Sequence, residues 1–297
     1  AWAHGVWTEA AWLDGAFVSF RYARRLSDHG SLALIGQSVA TEGFDNPLWT
    51  ALLSVLGMLG VHEFRVQTHL GPVLFGLLTV LTGAAIVRRV SRPESVLFVL
   101  LLLLASPLAI SAQSGTDDLF VAVLLMSAVV SVMFDLERNE PSRRSAGLLS
   151  LLALSGMGPA LLALALAWPH RRRWGVAVIG SFLALTVVRA VVFGAVIPQA
   201  VVSELSAFNI DNLISNVQII PATLGVGFAG LAISQRCGAR VWPMVAAIGT
   251  IGVFAMFGPG SDFGAPLVPI MGVLVLAGAM GVDRLRHRGV GILMLIA

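Results

Sequence analysis

Acidic side chains in this sequence collect at the borders of long apolar runs. Asp14, Glu42 and Asp45 lie near the start, Asp117-Asp118 immediately precedes an apolar stretch, and Asp262 interrupts a glycine-rich connector. With His4, His29, His62 and Arg21 on the same expected face, such a gathering beside a membrane cavity is what activating a hydroxyl nucleophile or holding a divalent cation would require. The competing reading is ordinary solvated loop surface. Asp14 stands apart because Trp12-Leu13-Asp14-Gly15-Ala16-Phe17 surrounds it with apolar and aromatic neighbours. Desolvation there lifts a carboxyl toward the working range of a general base. Asp117-Asp118 heads an apolar helix, where the helix dipole favours an anion; capping and function explain that pair equally well. Arg189 sits inside an apolar run, either as a phosphate contact or as a snorkelling side chain.

The elements that must position these groups follow from composition. Of 297 residues 57% are hydrophobic and only 12% charged, against about a quarter charged in soluble domains. A bilayer core about 30 Å thick takes about 20 apolar residues per helix, and the stretches 96–112, 119–134 and 241–257 approach or meet that length. The expected fold class is all-α: a polytopic transmembrane helical bundle with an external first loop carrying short amphipathic helices. Residues 1–71 form that external loop region and 72–297 the bundle. The chain starts at alanine and stops inside an apolar run, so a first spanning helix and any C-terminal domain are expected to be absent from it.

Every basic residue other than histidine is arginine, and the arginines cluster at the ends of apolar runs, a topology signal. The run 70–90 ends at Arg88 and Arg89, which places that end in the cytoplasm. Residues 96–112 return outward and 119–134 return inward to Arg138, Arg143 and Arg144. Read as one span, 146–168 would put Arg171, Arg172 and Arg173 outside. Ser155-Gly156-Met157-Gly158-Pro159 in its middle instead predicts two short helices meeting at an outer turn, a break tolerated where the backbone is buried in protein or lines a cavity. Residues 174–196 and 241–257 then run outward, and 213–234 and 265–282 inward. In the first region, residues 18–26 predict a short amphipathic helix with Phe17, Phe20 and Tyr22 against Arg21, Arg24 and Arg25, and Asn46-Pro47 opens a second helix.

There is no P-loop, dinucleotide fingerprint, paired zinc motif or serine elbow, so no nucleotide or flavin is expected, and arginines placed by topology do not call for nucleic acid. Gly225-Val226-Gly227-Phe228-Ala229-Gly230 has the wrong spacing for a dinucleotide loop and reads as close helix packing. Cys237, the lone cysteine, excludes an internal disulfide and a cysteine metal site.

Asp14-Gly15-Ala16-Phe17-Val18-Ser19-Phe20-Arg21-Tyr22-Ala23-Arg24, followed by Glu42-Gly43-Phe44-Asp45-Asn46-Pro47-Leu48-Trp49-Thr50, resembles the first external loop of the terminal arabinofuranosyltransferases of mycobacterial cell walls, membrane glycosyltransferases of the GT-C fold. Weaker matches follow in order: Gly60-Val61-His62-Glu63-Phe64-Arg65, Ser114-Gly115-Thr116-Asp117-Asp118, Phe193-Gly194-Ala195-Val196-Ile197-Pro198 and Gly260-Ser261-Asp262-Phe263. The resemblance implies a GT-C bundle in the bacterial plasma membrane with its active site facing outward. It would take a sugar, of arabinofuranose or mannose type, from a polyprenyl-phosphate donor among the membrane lipids to a cell-envelope glycan, lipid or protein. By the same resemblance Asp14 is the catalytic, acceptor-activating base; Glu42, Asp45, Asp118 and Asp262 bind substrate; and Arg21 meets the donor phosphate. Dependence on a divalent cation stays open. Gly15 stands where the family carries a second aspartate, and Gly156-Met157-Gly158-Pro159 where it carries a charged turn. The alternative is therefore a non-catalytic GT-C-like scaffold or lipid-binding subunit. A transporter would share the outer acids and broken helices, but neither an inverted repeat nor an intramembrane charge pair is visible to support one.

Overall fold

Long alanine, leucine and valine runs satisfy their backbone hydrogen bonds internally only as helices, and the described residues contain helices and no strands. The computed structural model describes residues 14–32, 42–44, 46–61, 69–89, 106–197, 243, 269 and 271–286. Its helices are α1 (Asp14–His29), α2 (Pro47–Met58), α3 (Leu70–Arg89), α4 (Ser106–Ser114), α5 (Asp118–Arg138), α6 (Arg143–Leu154), α7 (Met157–Ala167), α8 (Val176–Phe193) and α9 (Met271–Arg286). The expected spans at 213–234 and 241–257 lie outside the described residues, apart from residue 243, as does most of 96–112.

Among the described residues three helical stretches are long and apolar enough to cross a membrane: Leu70–Arg89, Asp118–Arg138 and Met157–Phe193. α5 is central, its apolar side chains buried on nearly every side, from Leu119 through Met126 to Met133. α3 is two-faced. Phe75, Leu78, Thr82 and Ile86 are buried, whereas Val73, Leu77, Val80 and Val87 form an exposed apolar stripe at helical spacing. α8 repeats the pattern, with Val178, Leu185 and Arg189 inward and Val176, Ile179, Leu183, Val187 and Val191 outward. Such stripes suit lipid, since a water-facing helix would carry its polar residues there.

Packing between these helices is close where small residues permit it. A Cβ on Gly71 of α3 would run into the Ala112 carbonyl of α4, and one on Gly272 of α9 would meet Thr82 Oγ1 at 2.9 Å and Leu78 Cδ1 at 3.1 Å.

Two ends of the molecule are chemically distinct. At one, Arg89 of α3 pairs with Glu137 of α5 at 2.9 Å, so both helices run toward it. α5 ends at Asn139, whose left-handed backbone (φ 55°) turns the chain back into α6. The buried Asp135 carboxylate anchors that return. Its Oδ2 accepts from Ser142 N at 2.9 Å, Ser142 Oγ at 2.7 Å and Ser145 Oγ at 2.6 Å, an anion at a helix N-terminus. Trp174 Nε1 donates to Ser142 O at 3.3 Å, which returns Arg171, Arg172 and Arg173 to this same arginine end.

The hairpin expected in 146–168 is present as α6 and α7, packed against each other and joined at Ser155-Gly156. Gly156 has φ 150°, a region essentially closed to residues with a Cβ. Pro159 falls in the first turn of α7, where its missing N–H leaves no gap. At 12 and 11 residues the helices are about 18 and 16 Å long, short of a bilayer core, and Ser155 is 1% exposed. Ser155 and Gly156 are buried against neighbouring helices, while Met157 beside them is exposed. A straight helix over Met157–Phe193 would reach about 55 Å. Instead a 3₁₀ turn at Trp168–His170 and a π turn at Arg171–Gly175 fold α8 back until it touches α6 and α7.

Candidate functional site

At the opposite end the N-terminal helices sit on the bundle: α1 is amphipathic, as expected, whereas α2 is an apolar helix that leaves Leu52, Val55 and Met58 exposed. α1 runs beyond the expected 18–26, and packs Ala16, Phe20 and Ala23 against Trp49 and Leu53 of α2, with Leu70 and Leu74 of α3 and Phe120 of α5 beside them. Trp49 and Phe120 lie 5.5 Å apart, ring to ring. Phe20 and Tyr22 face inward and Arg21 and Arg24 outward, as the sequence pattern predicts; Phe17 departs from it, 49% exposed.

Asn46 joins α2 to the head of α5. Its Oδ1 accepts from Trp49 N at 3.0 Å, capping α2 ahead of Pro47, while its Nδ2 donates to Asp117 Oδ2 at 2.8 Å. Asp117 occupies the N-cap position of α5 without making the side-chain cap bond, so the capping reading does not hold for it; the carboxylate is spent on a tertiary contact. Burial pushes the Asp117 carboxyl above its ordinary range, with the Asn46 bond pulling part of the way back. Asp118, the next residue, accepts from Thr116 Oγ1 at 2.8 Å, and Thr116 in turn shares a 2.9 Å contact with Ser114 Oγ.

The innermost group is an ion pair. Arg189 Nε donates to Glu42 Oε1 at 2.8 Å, with the side chains 2% and 3% exposed. Arg189 therefore neither snorkels to the surface nor stands free as an isolated cation. Glu42 Oε2 and Arg189 Nη2 are both buried with no hydrogen-bond partner among the described residues. Desolvation raises the Glu42 carboxyl above its ordinary value, and the Arg189 hydrogen bond and charge oppose that shift. Aromatic rings flank the pair: Tyr22 meets Phe44 at 5.0 Å, and Phe44 meets Phe193, one turn beyond Arg189, at 5.9 Å. Buried polar atoms are nearly always paired, and leaving one unpaired costs about 1–3 kcal/mol. A buried carboxylate oxygen and guanidinium nitrogen without partners have the capacity to accept from and donate to a hydroxyl, or to donate to a phosphate oxygen.

Of the residues singled out from sequence, Glu42 and Asp118 come to this end of the bundle, Glu42 bonded to Arg189 and Asp118 to Thr116. Asp14 opens α1, and the surroundings of its side chain lie outside the described residues, as do Asp45 and Asp262 altogether. Arg21 is on the exposed face of α1. Among the described residues no three histidine, cysteine or acidic side chains converge as a metal site would need. Sequence reasoning missed Asn46 as a cross-link and Arg189 as the partner of Glu42. The available signal was a lone arginine in an apolar run, a position that calls for a buried partner. Comparison with protein-family models, with curated proteins and with solved structures finds no match for this chain.

Proposed function

We propose that this chain is a membrane glycosyltransferase of GT-C type, in the bacterial plasma membrane, moving a sugar from a polyprenyl-phosphate donor to a cell-envelope acceptor on the outer face. The observation that carries the reading is the buried Arg189–Glu42 pair with its open Nη2 and Oε2, at the end of the bundle that also holds Asp118. The sequence resemblance of residues 14–24 and 42–50 supports it. In this reading the arginine end is cytoplasmic by the positive-inside rule, and the acid end opens outward. Asp14 activates the acceptor hydroxyl, and Glu42, Asp45, Asp118 and Asp262 line the sugar site. Arg189 joins Arg21 as a cation available to the donor phosphate. A divalent cation, if used, would be held by these carboxylates.

A second reading, a non-catalytic scaffold or lipid-binding subunit, is favoured by Gly15 in place of a second aspartate and by the mutual neutralisation of Glu42 and Arg189. The two separate on sugar transfer from synthetic decaprenyl-phosphate donors by the purified protein, wild type beside Asp14→Asn, with and without a divalent cation. The enzyme reading expects transfer by wild type and a fall of about 10²-fold or more in Asp14→Asn, the usual size of a general base contribution, with donor binding kept. Lipid binding without transfer by either form, from arabinose and mannose donors alike, supports the scaffold.

A further inference from the structure

The turn between α7 and α8 carries a feature that the sugar-transfer reading does not use. Residues 168–173 and Pro141 enclose a cleft of about 540 Å³ at the arginine end. Arg171, Arg172 and Arg173 are all exposed there, and the Arg171 guanidinium lies 5.5 Å from the centre of the Trp168 ring. Among the described residues no carboxylate lines the cleft. The nearby acids are otherwise placed: Asp135 is bound to Ser142 and Ser145, Glu137 is paired with Arg89, and Glu140, next to Pro141 in sequence, is exposed and not part of the lining. His170, edge-on to Trp174 at 4.6 Å, brings a buried Nε2 with no partner among the described residues. Among the described residues the local charge is thus positive and unopposed, in a concave setting with guanidinium donors to spare.

The surroundings identify the anion. Trp168 is 61% exposed, and it is followed by Val176 at 67% and preceded, two helical turns earlier on the same face of α7, by Leu161 at 45%. An exposed apolar stripe runs into the cleft from both sides, with a tryptophan at the junction, as at a bilayer interface. We propose that this cleft binds the phosphate headgroup of an anionic phospholipid, with the guanidinium groups on the phosphate and the acyl chains along Leu161 and Val176. Topology alone requires arginines at this end, but it does not require a cleft, a tryptophan or an absence of acids in its wall. Basic pockets beside membrane helices on the cytoplasmic side are suited to anionic headgroups.

The test is native mass spectrometry of the detergent-purified chain, offered equimolar phosphatidylglycerol and phosphatidylcholine. Four proteins are compared: wild type, Arg171→Gln/Arg172→Gln/Arg173→Gln, Trp168→Ala, and a control that loses three charges at the exposed Arg138, Arg143 and Arg144. Wild type and control are expected to retain phosphatidylglycerol, and the cleft triple variant to lose at least about tenfold in retention. Trp168→Ala, which keeps every charge, is expected to weaken retention as well. Equal losses in the two triple variants would reduce the effect to bulk charge and overturn the site. Displacement of the lipid by millimolar inorganic phosphate, with no preference between the two phospholipids, would make this a soluble-phosphate site and overturn the lipid assignment.

Discussion

Arg189 and Glu42 illustrate how a charge comes to lie inside an apolar helix. A buried ion pair gains little over well-packed apolar residues, yet losing one partner leaves an uncompensated charge and costs about 3–5 kcal/mol. Arg189→Met alone should therefore destabilise by about that amount, and Glu42→Leu/Arg189→Met should recover most of it. Thermal melting of the detergent-purified variants measures both, and simple additivity of the two single losses would show that the pair is not coupled. Sequence shows Arg189 as anomalous without showing its partner. Its position on the inward stripe of α8 with Val178 and Leu185 becomes meaningful only once the packed face of that helix is known. Asp117 teaches the reverse. A carboxylate at a helix head looks like a cap, but Asn46 takes it for a contact between elements.

The broken hairpin of α6 and α7 is the element on which the topology turns. Its glycine-proline punctuation was legible, because backbone preferences are local. Its depth was not, because whether a turn sits on the surface or inside depends on helix length and on what packs over it. Gly156, at φ 150°, tests the backbone argument. Gly156→Ala should lower stability by about 1–3 kcal/mol, the cost of such strained backbone. Gly158→Ala, two residues on, in helical backbone with open space around its Cβ position, should be neutral or stabilising. A fluorescence size-exclusion thermal shift assay compares the two, and equal behaviour would remove strain as the reason for a glycine at 156. The same logic of local punctuation correctly opened α2 at Asn46-Pro47.

The whole molecule is polarised. Arg89, Arg138, Arg143 and the 171–173 cluster share one end through the Arg89–Glu137 and Trp174–Ser142 contacts, while Glu42, Asn46, Asp117 and Asp118 share the other. α8 connects the two, from the arginine turn to Gly194. With Cys237 replaced by serine, Arg172→Cys and Val196→Cys should react with an impermeant maleimide from opposite sides of sealed vesicles; labelling from one side would refute the polarity. Composition and apolar run length were enough for the helical class, and glycine-proline punctuation for the break between α6 and α7, since each depends on residues within a few turns of chain. Which side chains meet was decided only by tertiary structure. Asn46 and Asp117 are 71 residues apart and Glu42 and Arg189 are 147 apart, and such pairs form because helices pack on particular faces, which local periodicity does not specify.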